Sequence, residues 1–266
     1  MRLTTDALII RENNNIGEAD RFVTALTREL GVLRASAKGA RSIKSRNASA
    51  TQLLSYSRLT LYKGREKYII DDAEPLRVFF ELRSDIEKLS LAQYFCELAA
   101  VLAPREEPAE DCLRLFLNAL HFLGDGERHP DQIKAVVELR LLALAGFMPD
   151  LTACAECGRY EAADMWLLPS AGTLYCGRCM LRDTPGSAKE MRGSQAAGAI
   201  RLSPSVLAAM RYILYSEFSK CFSFTLPEDG FSSLAAACET FLLTQVQRSF
   251  NTLEFYHSLR PLRPAT

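Results

Sequence analysis

Hydrophobic and polar residues alternate along the first eighty positions in the short runs of β-strands. Ala7-Leu8-Ile9-Ile10 and Arg21-Phe22-Val23-Thr24-Ala25-Leu26 flank Asn13-Asn14-Asn15-Ile16-Gly17, a loop-forming cluster. A third run, Gly31-Val32-Leu33-Arg34-Ala35-Ser36-Ala37, leads into the basic stretch from Lys38 to Arg46. Ser57 to Tyr62 alternates with period two and faces Lys67-Tyr68-Ile69-Ile70 across Lys63-Gly64-Arg65-Glu66, a hairpin pattern. About five strands in so short a span predict a small barrel, an OB-fold or an SH3-like one.

After Pro75 the period changes to that of helices. Ser84-Asp85-Ile86-Glu87 has the form of a capping box, and Leu91, Tyr94, Phe95, Leu98 and Leu102 follow it on one helical stripe. Leu113, Phe116, Leu117 and Leu120 mark a second helix; Ile133, Val136, Val137, Leu141 and Leu144 mark a third. Their short connections predict consecutive antiparallel packing. Ser203-Pro204 opens a later helix as N-cap and first-turn proline, and Leu234, Cys238, Phe241 and Leu242 outline another running towards Phe250. The expected class is therefore α+β multidomain: an N-terminal OB-fold β-barrel (1–78), then an α-helical bundle domain (79–266) with a four-cysteine zinc finger inserted at 151–182.

Charge sharpens this division. The chain as a whole is neutral, but residues 1–80 hold 14 Lys and Arg against 9 Asp and Glu, whereas 81–266 hold 18 against 23. Between Arg28 and Lys67, ten cations meet only Glu29 and Glu66. Such a local surplus is the footprint of a polyanion-binding module. Single strands need a positive groove and aromatic platforms. Arg34, Lys38, Arg41, Lys44, Arg46, Lys63 and Arg65, with Tyr62, are the candidate DNA-binding residues. Phe22, Tyr56 and Tyr68 lie interleaved with them, although alternate barrel positions point inward and take some aromatics into the core.

Four of the eight cysteines fall in a second pattern. Cys154-Ala155-Glu156-Cys157 and Cys176-Gly177-Arg178-Cys179 form two C-x2-C pairs separated by eighteen residues. Each pair turns two sulfurs to one side, and two pairs close a tetrahedron at Zn–S of ~2.3 Å. One structural Zn²⁺ is the expected cofactor, although spacing alone also admits iron. Four protein ligands leave no position for a reactive water. Cys96, Cys112, Cys221 and Cys238 lie in apolar helical patterns and read as core residues.

No phosphate loop, nucleophile elbow or H-E-x-x-H helix occurs in the sequence, and His121, His129 and His257 are scattered. Chemistry of the chain's own is therefore not expected. The start lacks a secretory h-region and no apolar run is long enough to span a bilayer, which predicts a cytoplasmic, nucleoid-associated protein.

The sequence resembles the bacterial RecO family of recombination mediators. The resemblance is carried by Gly17-Glu18-Ala19-Asp20-Arg21, by Ala37-Lys38-Gly39-Ala40-Arg41 continuing to Lys44-Ser45-Arg46, and by Leu61-Tyr62-Lys63-Gly64-Arg65. It continues through the helical region and the cysteine quartet. It implies binding of single- and double-stranded DNA and annealing of complementary strands coated by single-strand binding protein (SSB). It further implies action with RecR to load RecA. The competing expectation is a non-catalytic zinc-containing adaptor whose barrel and zinc hairpin dock proteins; it would leave bare DNA alone.

Overall fold

The computed structural model describes residues 2–13, 20–40, 42, 45, 47–64, 67–180 and 198–260. They form two compact units, residues 1–128 with 250–266 and residues 129–249.

The first unit opens with five strands: β1 (Arg2–Asn13), β2 (Arg21–Thr27), β3 (Gly31–Ala37), β4 (Ser55–Lys63) and β5 (Tyr68–Val78). They close in the order β1-β2-β3-β5-β4, with β4 returning to β1. All pairings are antiparallel except β3 with β5, whose parallel contact of Ala35, Ser36 and Ala37 with Tyr68, Ile69 and Ile70 seals the barrel. This is the OB-fold arrangement, and it decides against an SH3-like barrel.

Narrow closure requires small inward side chains. Ala7, Ala25, Ala35, Ala37 and Ala73 supply them, with Ile9, Val23, Leu33, Leu59, Leu61 and Ile70 filling the remaining space. Ala40 and Ala50 plug the barrel from its connecting segments. The turns of 47–54 are held by side chains: Ser57 Oγ donates to Ala50 O at 2.8 Å, and the Ala73 N–H donates to Asn47 Oδ1 at 3.2 Å. Bulges between Ile9 and Arg11, and at two points where β4 meets β5, bend the strands around the axis.

Helices α1 (Ile86–Leu102), α2 (Glu110–Asp125) and α7 (Asn251–Leu259) complete this unit. The cap of α1 is Asp85, not Ser84. Its carboxylate accepts from the N–H groups of Glu87 and Lys88, while Ser84 ends a 3-10 turn. Tyr94 meets Phe250 edge to face at 5.8 Å, and Thr252 Oγ1 donates to Glu97 at 2.6 Å, fastening α7 to α1.

The second unit contains α3 (Pro130–Leu144), strands β6 (Asp150–Cys154), β7 (Met165–Leu168) and β8 (Thr173–Cys176), the turn of helix α4 (Gly177–Met180), β9 (Ile200–Leu202), α5 (Pro204–Tyr215) and α6 (Glu228–Val246). The first three helices thus divide between two units: α3 packs with α5 and α6. Ser203 caps α5 with Pro204 in its first turn, as the sequence predicts. The last helical pattern is two helices, because Gln247 turns left-handed at φ 51° and stops α6. Among the described residues no helix is long and apolar enough to cross a membrane.

Candidate functional site

On the barrel, strand alternation sends one set of residues outward. The register aligns Phe22 with Ser36, Ser36 with Ile69, Ile69 with Tyr62, and Tyr62 with Arg2. Directly paired residues share a face, so these positions form one lateral row across the outer wall. Tyr62 is 51% exposed. Arg34 points outward two residues along β3 from Ser36, beside Thr24, and Lys38 is exposed in the turn that follows. Lys63 ends β4 with its ammonium 5.9 Å from the Tyr68 ring, and Lys67 rests 4.4 Å over the Phe22 ring. Arg34, Lys38, Lys63 and Lys67 have no carboxylate partner among the described residues. Arg41, Lys44, Arg46 and Arg65 lie outside those residues.

The remaining cations of the basic run are used internally. Asp6 pairs with both Arg28 at 3.4 Å and Arg58 at 3.0 Å, and accepts a hydrogen bond from the Tyr56 hydroxyl at 3.4 Å. Burial, and then the Asp6 charge, raise the Tyr56 phenol above its ordinary pKa. Tyr68 packs against the barrel core. Of the four interleaved aromatics, Phe22 and Tyr62 therefore remain on the outer row. Asp6 escapes a count of charge along the sequence because it is distant in the chain and reaches Arg58 only through the β1–β4 register. Lys67 stands in the basic run, but nothing in its local sequence indicates its seat on Phe22.

The turn residues Asp20 and Arg21 have structural partners. Asp20 Oδ1 accepts from the Gly39 N–H at 2.9 Å, and Arg21 donates to Ala48 O at 2.7 Å and Thr51 Oγ1 at 3.1 Å. These contacts fix where the Lys38 turn leaves the barrel.

In the second unit, the sheet β6-β8-β7-β9 brings the two cysteine pairs together. Cys154 ends β6 and Cys157 follows in a turn closed by Gly158, whose φ of +68° suits glycine and whose N–H donates to Cys154 O at 2.9 Å. Cys176 ends β8, and Cys179 lies in α4. The four sulfurs lie within 4.8 Å of one another, with Cys157 and Cys176 3.7 Å apart. A tetrahedron with metal–sulfur bonds of ~2.3 Å has edges of roughly 3.8 Å, so the thiols fit a four-coordinate ion. Cys154, Cys176 and Cys179 are buried and Cys157 is exposed. Burial pushes the Cys154 thiol up, but N–H groups of Cys157, Cys176 and Glu156 outweigh it and bring the pKa down to about 6. Burial and hydrogen bonding to the other three sulfurs push Cys179 up to about 12. The Cys154 sulfur is thus prepared for negative charge, the form in which a cysteine binds a metal ion.

An arginine that the sequence does not single out braces this site. Arg211 of α5 donates from Nε to Leu151 O at 2.7 Å, and through its terminal nitrogen to Thr152 O at 3.1 Å and Tyr160 O at 2.7 Å. Its guanidinium also sits 3.9 Å over the Tyr160 ring. Both flanks of the first cysteine pair are thereby fixed to one helix. Arg159 and Arg178 are exposed, and Arg182 lies outside the described residues. The other cysteines, Cys96, Cys112, Cys221 and Cys238, are buried singly as predicted.

The geometry defines a class: an OB-fold protein that also carries a cluster of four thiols able to hold a metal ion. Comparison with known proteins specifies the family. Residues 1–79 match the model for the Recombination protein O N terminal, and residues 83–254 match that for the Recombination protein O C terminal. The chain is 31% identical to the DNA repair protein RecO of Acetivibrio thermocellus over 257 residues, 97% of each protein. It is likewise 31% identical to the DNA repair protein RecO of Symbiobacterium thermophilum over 261 residues, 97% of this chain and 98% of that one. A further DNA repair protein RecO, from Desulforudis audaxviator, shares 37% identity over 182 residues. The likeness therefore runs through both barrel and helices, and the chain belongs to the RecO family of DNA repair proteins, with a role in recombination and repair.

Proposed function

We propose that the chain is a non-catalytic recombination mediator that binds single- and double-stranded DNA along the outer wall of its barrel. In this reading it anneals complementary strands coated by SSB and acts with RecR to load RecA, in the cytoplasm at the nucleoid. The observation that carries the reading is the set of barrel cations without carboxylate partners among the described residues, Arg34, Lys38, Lys63 and Lys67, together with the exposed Tyr62. Phosphates attract such unpaired charges, and the bases of a single strand stack on an exposed ring. Arg41, Lys44, Arg46 and Arg65 join the interface by their place in the adjoining segments. The barrel domain, 1–78, binds DNA, and the helical domain, 79–266, positions partners and includes the finger at 151–182. The resident ion is one structural Zn²⁺ held by Cys154, Cys157, Cys176 and Cys179.

Annealing of complementary strands pre-coated with SSB, with and without RecR and with zinc measured on the same sample, tests the proposal. Accelerated annealing and about one zinc per chain are expected, with log K for an oligonucleotide falling near −3 per decade of salt if about four cations engage. Binding of RecR or SSB at high salt with no affinity for bare DNA overturns it in favour of a protein adaptor.

A further inference from the structure

We propose that the lateral row on the barrel is a two-platform base ledge that selects unstacked single strand over duplex, with Phe22 and Tyr62 as the platforms and Lys67 as a displaceable cover on Phe22. The inference rests on the reading of the barrel as a DNA-binding module and goes on to name the residues that discriminate between DNA forms.

Register supplies the geometry. Phe22 on β2 and Tyr62 on β4 are joined through Ser36 and Ile69, so three inter-strand steps separate them. At ~4.8 Å per step the separation along the wall is about 14 Å. A duplex keeps its bases stacked at ~3.4 Å and turns their faces away from any outside ring. Neither ring can then receive a base. A strand lying across β2, β3, β5 and β4 presents separated bases, and two non-adjacent ones reach the rings across the buried Ser36 and the half-buried Ile69 between them.

The cover follows from the cation over the ring. The Lys67 ammonium occupies the Phe22 face at 4.4 Å, where an arriving base must lie. A cation–π contact at a half-exposed site is weak enough for a base to replace, and the released ammonium can pair with the neighbouring phosphate. Tyr62, 51% exposed and aligned with the half-buried Ile69, has no cation over its ring among the described residues.

The test uses the full-length protein and an oligothymidylate of about twelve nucleotides, within the ~4–16 that an OB-fold spans. One 2-aminopurine is placed at successive positions, and a duplex of equal length serves as comparison. Stacking quenches the probe, and quenching at two non-adjacent positions is expected. Tyr62→Leu should abolish one quench and Phe22→Leu the other, each lowering single-strand affinity roughly five- to hundredfold without changing duplex affinity. Lys67→Gln should keep both quenches and reduce the single-strand salt slope by about 0.7. Tyr62 is exposed enough that its variant tests the ledge even if Phe22→Leu disturbs folding. Equal losses for single strand and duplex, or quenching untouched by either aromatic variant, overturn the ledge; steep salt-dependent binding in the same titration then leaves DNA binding intact. Failure to bind either form in dilute buffer overturns the DNA-binding reading itself.

Discussion

The carboxylate of Asp20 accepts a hydrogen bond from the backbone N–H of Gly39 at 2.9 Å, tying the entry of β2 to the turn that leaves β3. Gly39 has φ +62°, a conformation that costs other residues roughly 1–2 kcal/mol. No heavy atom lies within 4 Å of the place a Cβ would take, so an added methyl group meets no clash. Gly39→Ala should therefore fold and lose about 1 kcal/mol. Asp20→Ala removes a charge-assisted acceptor and should lose about 1.5 kcal/mol. Urea titrations of both variants check this. Unchanged stability in Asp20→Ala would mean that the contact does not hold the turn.

The cations from Arg28 to Lys67 are alike in sequence, but the described ones differ in their surroundings. Arg58 and Arg28 share Asp6, and Arg58 lies four residues before Tyr62 on β4, roughly 13 Å along the strand. That exceeds the screening length of ~10 Å at 0.1 M salt. Arg58→Gln should therefore leave oligonucleotide affinity and its salt slope nearly unchanged, whereas Arg34→Gln and Lys38→Gln should each flatten the slope by about 0.7. Fluorescence anisotropy over a potassium chloride series separates the cases. An Arg58→Gln loss as large as that of Lys38→Gln would move the interface towards Asp6.

Local features of the fold are legible in the sequence, and long-range contacts are not. Period-two alternation gave away the strands because each barrel position faces either the core or the solvent, and Gly17, Gly39 and Gly64 mark the breaks between them. The cysteine quartet was equally legible, since two C-x2-C turns already bring four sulfurs to two points. Contacts over long chain distances left no local trace. Nothing near Asp6 signals Arg58, and nothing in the amphipathic pattern of α5 signals that Arg211 reaches carbonyls fifty to sixty residues away. The division of the helices was hidden for the same reason: short loops predict neighbours, but α3 buries nearly its whole circumference in a unit built from later segments.

Arg211 also predicts how the four-cysteine centre responds to mutation. It satisfies three backbone carbonyls of the segment that contains Cys154 and Cys157, so Arg211→Met leaves those oxygens to find water or remain unpaired. A loss of about 2–4 kcal/mol is expected, along with faster loss of zinc to a chelator in a colorimetric release assay. Cys157→Ser, at the exposed corner, should lower bound zinc well below one per chain without unfolding the barrel. Zinc release from Arg211→Met at the wild-type rate would show that α5 does not brace the site.

A buried ion cluster sets the last expectation. Lys134 on α3 lies 2.8 Å from Glu138 and 2.6 Å from Glu239 on α6, with Lys134 and Glu138 both fully enclosed. Burial drives the Lys134 pKa down, but the two carboxylates outweigh it and hold the ammonium above the ordinary lysine value. With the folded pKa raised, the stabilisation is complete below the ordinary lysine range and disappears as pH climbs through the higher folded value. Between pH 6 and pH 9, roughly one and more units below 10.4, the contribution should accordingly stay constant. Lys134→Met leaves two carboxylates facing an apolar core and should cost about 3–5 kcal/mol, whereas Lys134→Met combined with Glu138→Leu and Glu239→Gln should recover most of that loss. Thermal melts of the single and triple variants decide it: if the single variant melts with the wild type, Lys134 does not hold α3 and α6 together.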